Sequence, residues 1–134
     1  MNILLTLRIL GALLLFLAAA MLFPIPFALI YNDGAAEAFL WSSGISLICG
    51  LALFKFCRSE RELSVREGFA IVSFGWLFYA LFGALPFLFS GAIPAPIDAI
   101  FETMSGFTTT GSSILTEIES LPASILPWRA LTQW

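Results

Sequence analysis

Histidine is absent from all 134 residues. With it go the commonest general base, the commonest metal ligand and every nucleophile–histidine pairing within the chain. Cysteine is scarce: Cys49 and Cys57 are the only two, they lack C-x-x-C spacing, and they sit in or at the end of an apolar run. They read as unreactive thiols and give no sign of a disulfide framework or an oxidising compartment. Charge is sparse as well, at 11% of residues, where a soluble domain carries about a quarter. A net charge of −3 and a pI of 4.7 argue against a nucleic-acid partner.

What the chain has in quantity is apolar surface, with 60% hydrophobic residues and a mean hydropathy of +0.97. A chain of this length has too little interior to bury that surface in water, so its solvent is a lipid bilayer. Three apolar runs, over 9–31, 38–56 and 69–90, reach the ~20 helical residues that cross a hydrocarbon core. The first follows Arg8 but continues past Ala18-Ala19-Ala20 to Ile30, too far for a signal-peptide core. Pro24 and Pro26 are expected to kink or end it. Asn32-Asp33-Gly34 marks a turn, which makes the first two runs a helical hairpin. Lys55, Arg58, Arg61 and Arg66 follow the second run, whereas the 31–37 link carries only Asp33 and Glu37. The excess of basic residues places 55–67 and the N-terminus in the cytoplasm and the 31–37 link outside. The third run then ends outside near Ser90.

Residues 91–127 read differently. They mix Pro94, Pro96, Pro122 and Pro127 with small polar residues and the acids Asp98, Glu102, Glu117 and Glu119. A short helix is predicted over 97–105, with Pro96 at its start and Asp98 in its first turn. Ile97, Ile100, Phe101 and Met104 form its apolar face, and Gly106 is its expected cap. Such a helix is about 13–14 Å long, under half the roughly 30 Å core, so it enters a membrane without crossing it. The run Phe107-Thr108-Thr109-Thr110-Gly111-Ser112-Ser113 then returns as an extended loop. Its carbonyls and hydroxyls suit replacement of a monovalent cation's hydration shell. The helix C-terminus favours a cation, and Gly111 reaches unusual backbone angles cheaply. Glu102 reads as bracing the loop by accepting hydrogen bonds from its amides or hydroxyls, the alternative being a proton or ion ligand. Arg129 reads as a snorkelling interfacial residue. Residues 128–134 read as an interfacial belt opening a further helix that the chain does not complete.

The segment Asp98-Ala-Ile-Phe-Glu-Thr-Met-Ser-Gly-Phe-Thr-Thr-Thr-Gly-Ser-Ser, with Leu121-Pro122 and Trp128-Arg129-Ala-Leu-Thr-Gln-Trp134, closely resembles the first pore repeat of TrkH-type potassium-uptake proteins of the Trk/Ktr/HKT superfamily. Arg66-Glu67-Gly68-Phe69 and Gly83-Ala84-Leu85-Pro86-Phe87 are similar to that repeat's outer helix, and Tyr31-Asn32-Asp33-Gly34 to the N-terminal hairpin of the TrkH branch. The resemblance implies four helix–pore loop–helix repeats around one pore in family members, each supplying one filter strand. By position it assigns potassium binding to Thr109, Thr110 and Gly111, flanked by Thr108 and Ser112. In the plant-related branch, serine at the glycine position goes with sodium preference, so Gly111 favours potassium. The resemblance also implies a homodimer and a cytosolic nucleotide-binding regulatory subunit of the TrkA type.

The expected fold is therefore all-α and transmembrane. An N-terminal hairpin with its cytoplasmic loop (1–67) precedes an incomplete helix–pore loop–helix repeat (68–134), with a re-entrant helix at 97–105 and a filter at 108–112. The expected function is potassium uptake through the bacterial inner membrane by a channel-like subunit, without enzymatic chemistry. Sodium-selective transport by the same architecture and a non-conducting truncated fragment are the alternatives.

Overall fold

The computed structural model of the chain describes residues 2–116 and 121–133. Glu117, Glu119 and Trp134 lie outside the described residues. Among the described residues there are seven helices and no strand. Three helical stretches are long and apolar enough to cross a bilayer: Ile3–Tyr31, Ala36–Phe56 and Val65–Phe89.

The first stretch is two helices in series. α1 (Ile3–Ala20) starts at Asn2, whose side-chain oxygen accepts the Leu5 N–H. Pro24 and Pro26 lack the N–H groups that would reach the Ala20 and Leu22 carbonyls in a continuous helix. The preceding residues substitute: Phe23 N–H donates to the Ala20 carbonyl at 3.1 Å and Ile25 N–H to the Leu22 carbonyl at 3.3 Å. The chain thus bends without orphaning those acceptors and resumes as α2 (Ile25–Tyr31). Asn32 (φ 49°) and Gly34 (φ 77°) then reverse it, as the turn signal predicts. α3 (Ala36–Phe56) runs back along α1.

Small residues let α1 and α3 approach closely, the usual device for packing helices in lipid. Gly11 lies against the backbone of Gly50 and Phe54, and the Ser43 hydroxyl donates to the Ala18 carbonyl at 2.9 Å. α4 (Val65–Gly83) opens on a capping box, in which Ser64 accepts the Glu67 N–H and Glu67 accepts the Ser64 N–H. Glu67 also accepts the Asn2 backbone N–H, and the Asn2 amide donates to Ser59. These ties begin the first and third helical stretches at Ile3 and Val65, ahead of the apolar runs at 9 and 69. The residues between are capped first turns, not loop.

A bend at Ala84–Pro86 separates α4 from α5 (Leu85–Phe89). α6 (Pro96–Phe107) and α7 (Ile125–Thr132) complete the order. The buried core cluster draws on α1, α3, α5, α6 and α7 and the residues beside them: Leu14, Leu17, Met21, Phe39, Ala84, Phe87, Ala99, Ile125 and Trp128, with Phe78 and Phe82 of α4 packed against it. Phe39 and Trp128 meet edge to face, with ring centroids 6.1 Å apart. At the hairpin turn Asp33 accepts the Ala35 N–H at 2.9 Å and the Ser124 N–H at 2.8 Å, so the residue preceding α7 is held by the N-terminal hairpin.

A Cβ at Gly11 would lie 2.7 Å from the Phe54 nitrogen and 2.8 Å from the Gly50 carbonyl oxygen. Neither backbone atom can yield without moving a helix. Gly11→Val is expected to cost about 3 kcal/mol through overpacking, read as a lower thermal midpoint in detergent. Gly44→Ala, with nothing within 4 Å of the added carbon, is expected to be neutral or stabilising by up to about 1 kcal/mol. Indistinguishable midpoints for the two variants would refute the close crossing.

Asp33 gives a second test. Burial alone would raise its carboxyl, but the Ala35 and Ser124 amides outweigh that and hold it below the ordinary carboxylate range. A depressed folded pKa contributes stability that is present above the unfolded value of about 4 and lost as pH falls through the folded value. Thermal midpoints between pH 7 and 3 should therefore drop at the acid end for the parent chain. Asp33→Asn should start lower at pH 7 and lose less on acidification.

Candidate functional site

α6 spans 12 residues, about 18 Å, which is still well short of a membrane core. Pro96 opens it and Asp98 occupies the first turn, as expected. Its end differs from expectation. The helix continues through Gly106 and Phe107 to a cap at Thr108, so Gly106 is not the terminator. Gly106 is instead where α7 comes closest: a Cβ there would lie 2.5 Å from the Thr132 hydroxyl. Gly83 serves the same purpose on the other side, since a Cβ there would meet Thr103 at 2.7 Å and Phe107 at 2.8 Å. The short helix is thus wedged between α4 and α7 at two glycines.

The chain then folds back onto the helix end. Thr108 N–H donates to the Met104 carbonyl at 2.9 Å and Thr109 N–H to Gly106 at 2.9 Å. Thr110 N–H and Gly111 N–H both reach the Ser105 carbonyl, at 3.0 and 3.4 Å. A trans peptide points its N–H and C=O in opposite directions. Amides turned inward therefore turn the carbonyls of Thr108, Thr109 and Thr110 outward. The Thr108 carbonyl accepts the Thr109 hydroxyl at 2.7 Å. Among the described residues, the carbonyls of Thr109, Thr110 and Gly111 accept no hydrogen bond. Thr109 (φ 56°) and Gly111 (φ 76°) both take left-handed backbone. For glycine this is inexpensive. For a β-branched threonine it is strain of about 1–3 kcal/mol, of the kind found at functional sites.

The loop's outgoing leg is held by side chains. The Ser105 hydroxyl donates to the Ser112 carbonyl, so that carbonyl faces the helix. Glu102, buried at 4% exposure, accepts the Ser113 hydroxyl on both oxygens at 2.9 and 3.0 Å and the Ile114 N–H at 3.2 Å. Its remaining partner is Arg129, whose Nε lies 2.8 Å from Oε1. Arg129 is thus not an interfacial snorkel but half of a largely buried ion pair. Trp128 also departs from the expected interfacial belt. It is 1% exposed, and its indole N–H donates to the Gly83 carbonyl at 3.2 Å, at the bend before Pro86.

Residues 108–114 are themselves exposed. A cleft of about 150 Å³ runs along them, lined by Phe101, Met104, Ser105, Thr108, Thr110 and Ser112. The arrangement presents neutral oxygen acceptors, and the described residues hold no cluster of three or more His, Cys, Asp or Glu side chains that could bind a metal ion. Backbone oxygens presented in this way are able to coordinate a cation. Of the residues singled out in the sequence, Thr108 to Ser112 and Glu102 come together here. Arg129, read from the sequence as interfacial, joins them, as do Ser105 and Ser113, to which no individual role was assigned.

A family model described as "TrkH: Cation transport protein" matches residues 38–134. The Trk system potassium uptake protein TrkH of Halomonas elongata is 40% identical over 136 residues, covering 100% of this chain and 28% of that protein. The Escherichia coli K12 protein of the same name is 43% identical over 129 residues, covering 95% of this chain and 27% of its own length. The crystal structure of the potassium transporter TrkH from Vibrio parahaemolyticus superimposes with a TM-score of 0.92 at 36% identity, over 100% of this chain and 29% of that one. The chain thus spans less than a third of the length of these relatives.

Proposed function

The chain belongs to the TrkH family of cation transport proteins, and on that premise we propose that it serves potassium uptake as one wall of a selectivity filter. It is a multi-pass membrane protein of a transporter family rather than an enzyme. The observation that carries the proposal is the pairing of inward amides from Thr108 to Gly111 with the outward carbonyls of Thr109 and Thr110, and the Gly111 carbonyl beside them accepts no hydrogen bond among the described residues. Carbonyl oxygens of this kind replace a potassium ion's water shell. The carbonyls of Thr109, Thr110 and Gly111 are the ion contacts, Thr108 and Ser112 flank them, and Glu102 braces the return leg. One loop surrounds an ion on one side, so permeation takes three further walls of the same kind.

The acceptors are neutral and the loop caps the negative end of α6, which favours cations over anions. The basic segment from Lys55 to Arg66 supports a reading with the N-terminus in the cytoplasm and the loop on the outer side, and the bacterial relatives support an inner-membrane location. A homodimer with a cytosolic nucleotide-binding regulatory subunit is the assembly proposed on family grounds.

The test is a chimera in which residues 1–134 replace the aligned segment of the Escherichia coli relative, in cells that depend on it for potassium. A side chain at Gly111 meets nothing within 4 Å, so its effect comes from the backbone, where φ 76° is costly for any L-residue. Gly111→Ser is expected to lower potassium-over-sodium preference about tenfold, matching the ~1–2 kcal/mol cost of left-handed backbone. Unchanged preference at equal membrane abundance would sink the ion-facing assignment.

A further inference from the structure

The two legs of the loop are held by unlike means. The incoming leg, Thr108 to Gly111, is fastened by its own amides to the last turn of α6. Among the described residues the outgoing leg is held to α6 by side chains alone: Ser105 to the Ser112 carbonyl, and Glu102 to Ser113 and Ile114. Glu102 is the larger of the two clamps, since its carboxylate takes three contacts from the loop. Its side chain is 2% exposed, and a buried carboxylate keeps its charge only beside a compensating cation. Among the described residues that cation is Arg129 alone. Arg129 stands on α7, and α7 is fixed by Trp128 to the Gly83 carbonyl and by Thr132 against Gly106. A continuous path therefore runs from the seat of α7 through Arg129 and Glu102 to the leg that follows Gly111.

We propose that Arg129 is a specificity-determining positioning residue, which acts through Glu102 to hold the outgoing leg at the spacing that favours potassium over sodium. The inference rests on the reading of the loop as a filter and adds a residue to it. Potassium and sodium differ in radius by a fraction of an ångström, so a carbonyl wall discriminates only while its spacing is kept. Removing the Arg129 charge leaves the Glu102 carboxylate buried beside the loop without its counterion. Its three loop contacts then readjust, and the carbonyls before them move. The guanidinium touches no ion in this scheme.

The test uses the same chimera, with potassium KM and its inhibition by sodium as readouts independent of protein abundance. Arg129→Met is expected to lower potassium-over-sodium preference about tenfold, as loss of a ligand's supporting partner does in other ion sites. Arg129→Lys, which restores the charge within reach of the carboxylate, should recover most of it. In a Glu102→Gln background Arg129→Met should add no more than about twofold, because residues acting as a unit are not additive. Ser113→Ala, at the exposed end of the same clamp, should weaken preference without disturbing assembly, and decides the matter if Arg129→Met is not inserted. Lower abundance with unaltered preference in Arg129→Met, or unaltered preference in Ser113→Ala, would overturn the proposal. The Gly111→Ser chimera separates the two layers. If it loses preference while the Arg129 and Ser113 variants keep theirs, the positioning role fails and the filter stands. If it too keeps preference, the filter reading fails.

Discussion

A backbone amide in hydrocarbon has no water to turn to, so every departure from helix must find its hydrogen bonds inside the protein. Each irregularity in this chain is arranged around that constraint. At Pro24 and Pro26 the preceding amides take over the carbonyls that proline cannot serve. At Pro86 the bend meets the Trp128 indole, which satisfies the Gly83 carbonyl. The loop after α6 solves the same problem by folding four consecutive amides onto the helix end. What remains unpaired there is a short row of carbonyl oxygens, and these are the groups a desolvated cation can satisfy. The row of open carbonyls and the solution to the backbone problem are thus one structure.

The outgoing leg does not use the helix end, where the carbonyls of Met104, Ser105 and Gly106 already accept from the incoming leg. A carboxylate does the work instead, and brings a cost of its own. A buried ion pair commonly contributes little net stability, since desolvation offsets its attraction. The Glu102–Arg129 pair is therefore poorly explained as a stabilising contact. It is better explained by geometry: one carboxylate accepts from a hydroxyl and an amide on the loop and from a guanidinium on α7, and so fixes three segments relative to one another.

Much of the architecture was legible from residue order. The three membrane stretches, the proline bend, the Asn32–Gly34 turn and the half-length helix all follow from local composition, and so does the expectation that Glu102 accepts from the loop. The helix starts at Ile3 and Val65 were also within reach, since Ser64-x-x-Glu67 is a capping-box pattern. Gly106 was not. A glycine near a helix end signals a cap or a close approach equally well, and only Thr132, 26 positions later, decides between them. Arg129 and Trp128 fail for the same reason: near a run of aromatic residues each looks interfacial, and their partners Glu102 and Gly83 are neighbours only after folding. The left-handed backbone of Thr109 runs against its β-branched side chain and has no local signal at all.

The support of the loop reaches further along the chain than the pore repeat. α7 carries Arg129, and the seat of α7 is built from several elements: Asp33 at the hairpin turn, Phe39 in α3, Gly83 at the end of α4 and Gly106 in α6. Two of these belong to the N-terminal hairpin. Within that hairpin α3 packs on α1 through Gly50 and Gly11, and at Gly11 an added Cβ would run into the α3 backbone. A loop held open in this way needs a mount that does not give. Here the mount begins at the first helical crossing, passes through the buried Phe39–Trp128 contact, and ends at the carboxylate behind the loop. The hairpin is therefore part of the loop's mechanical frame.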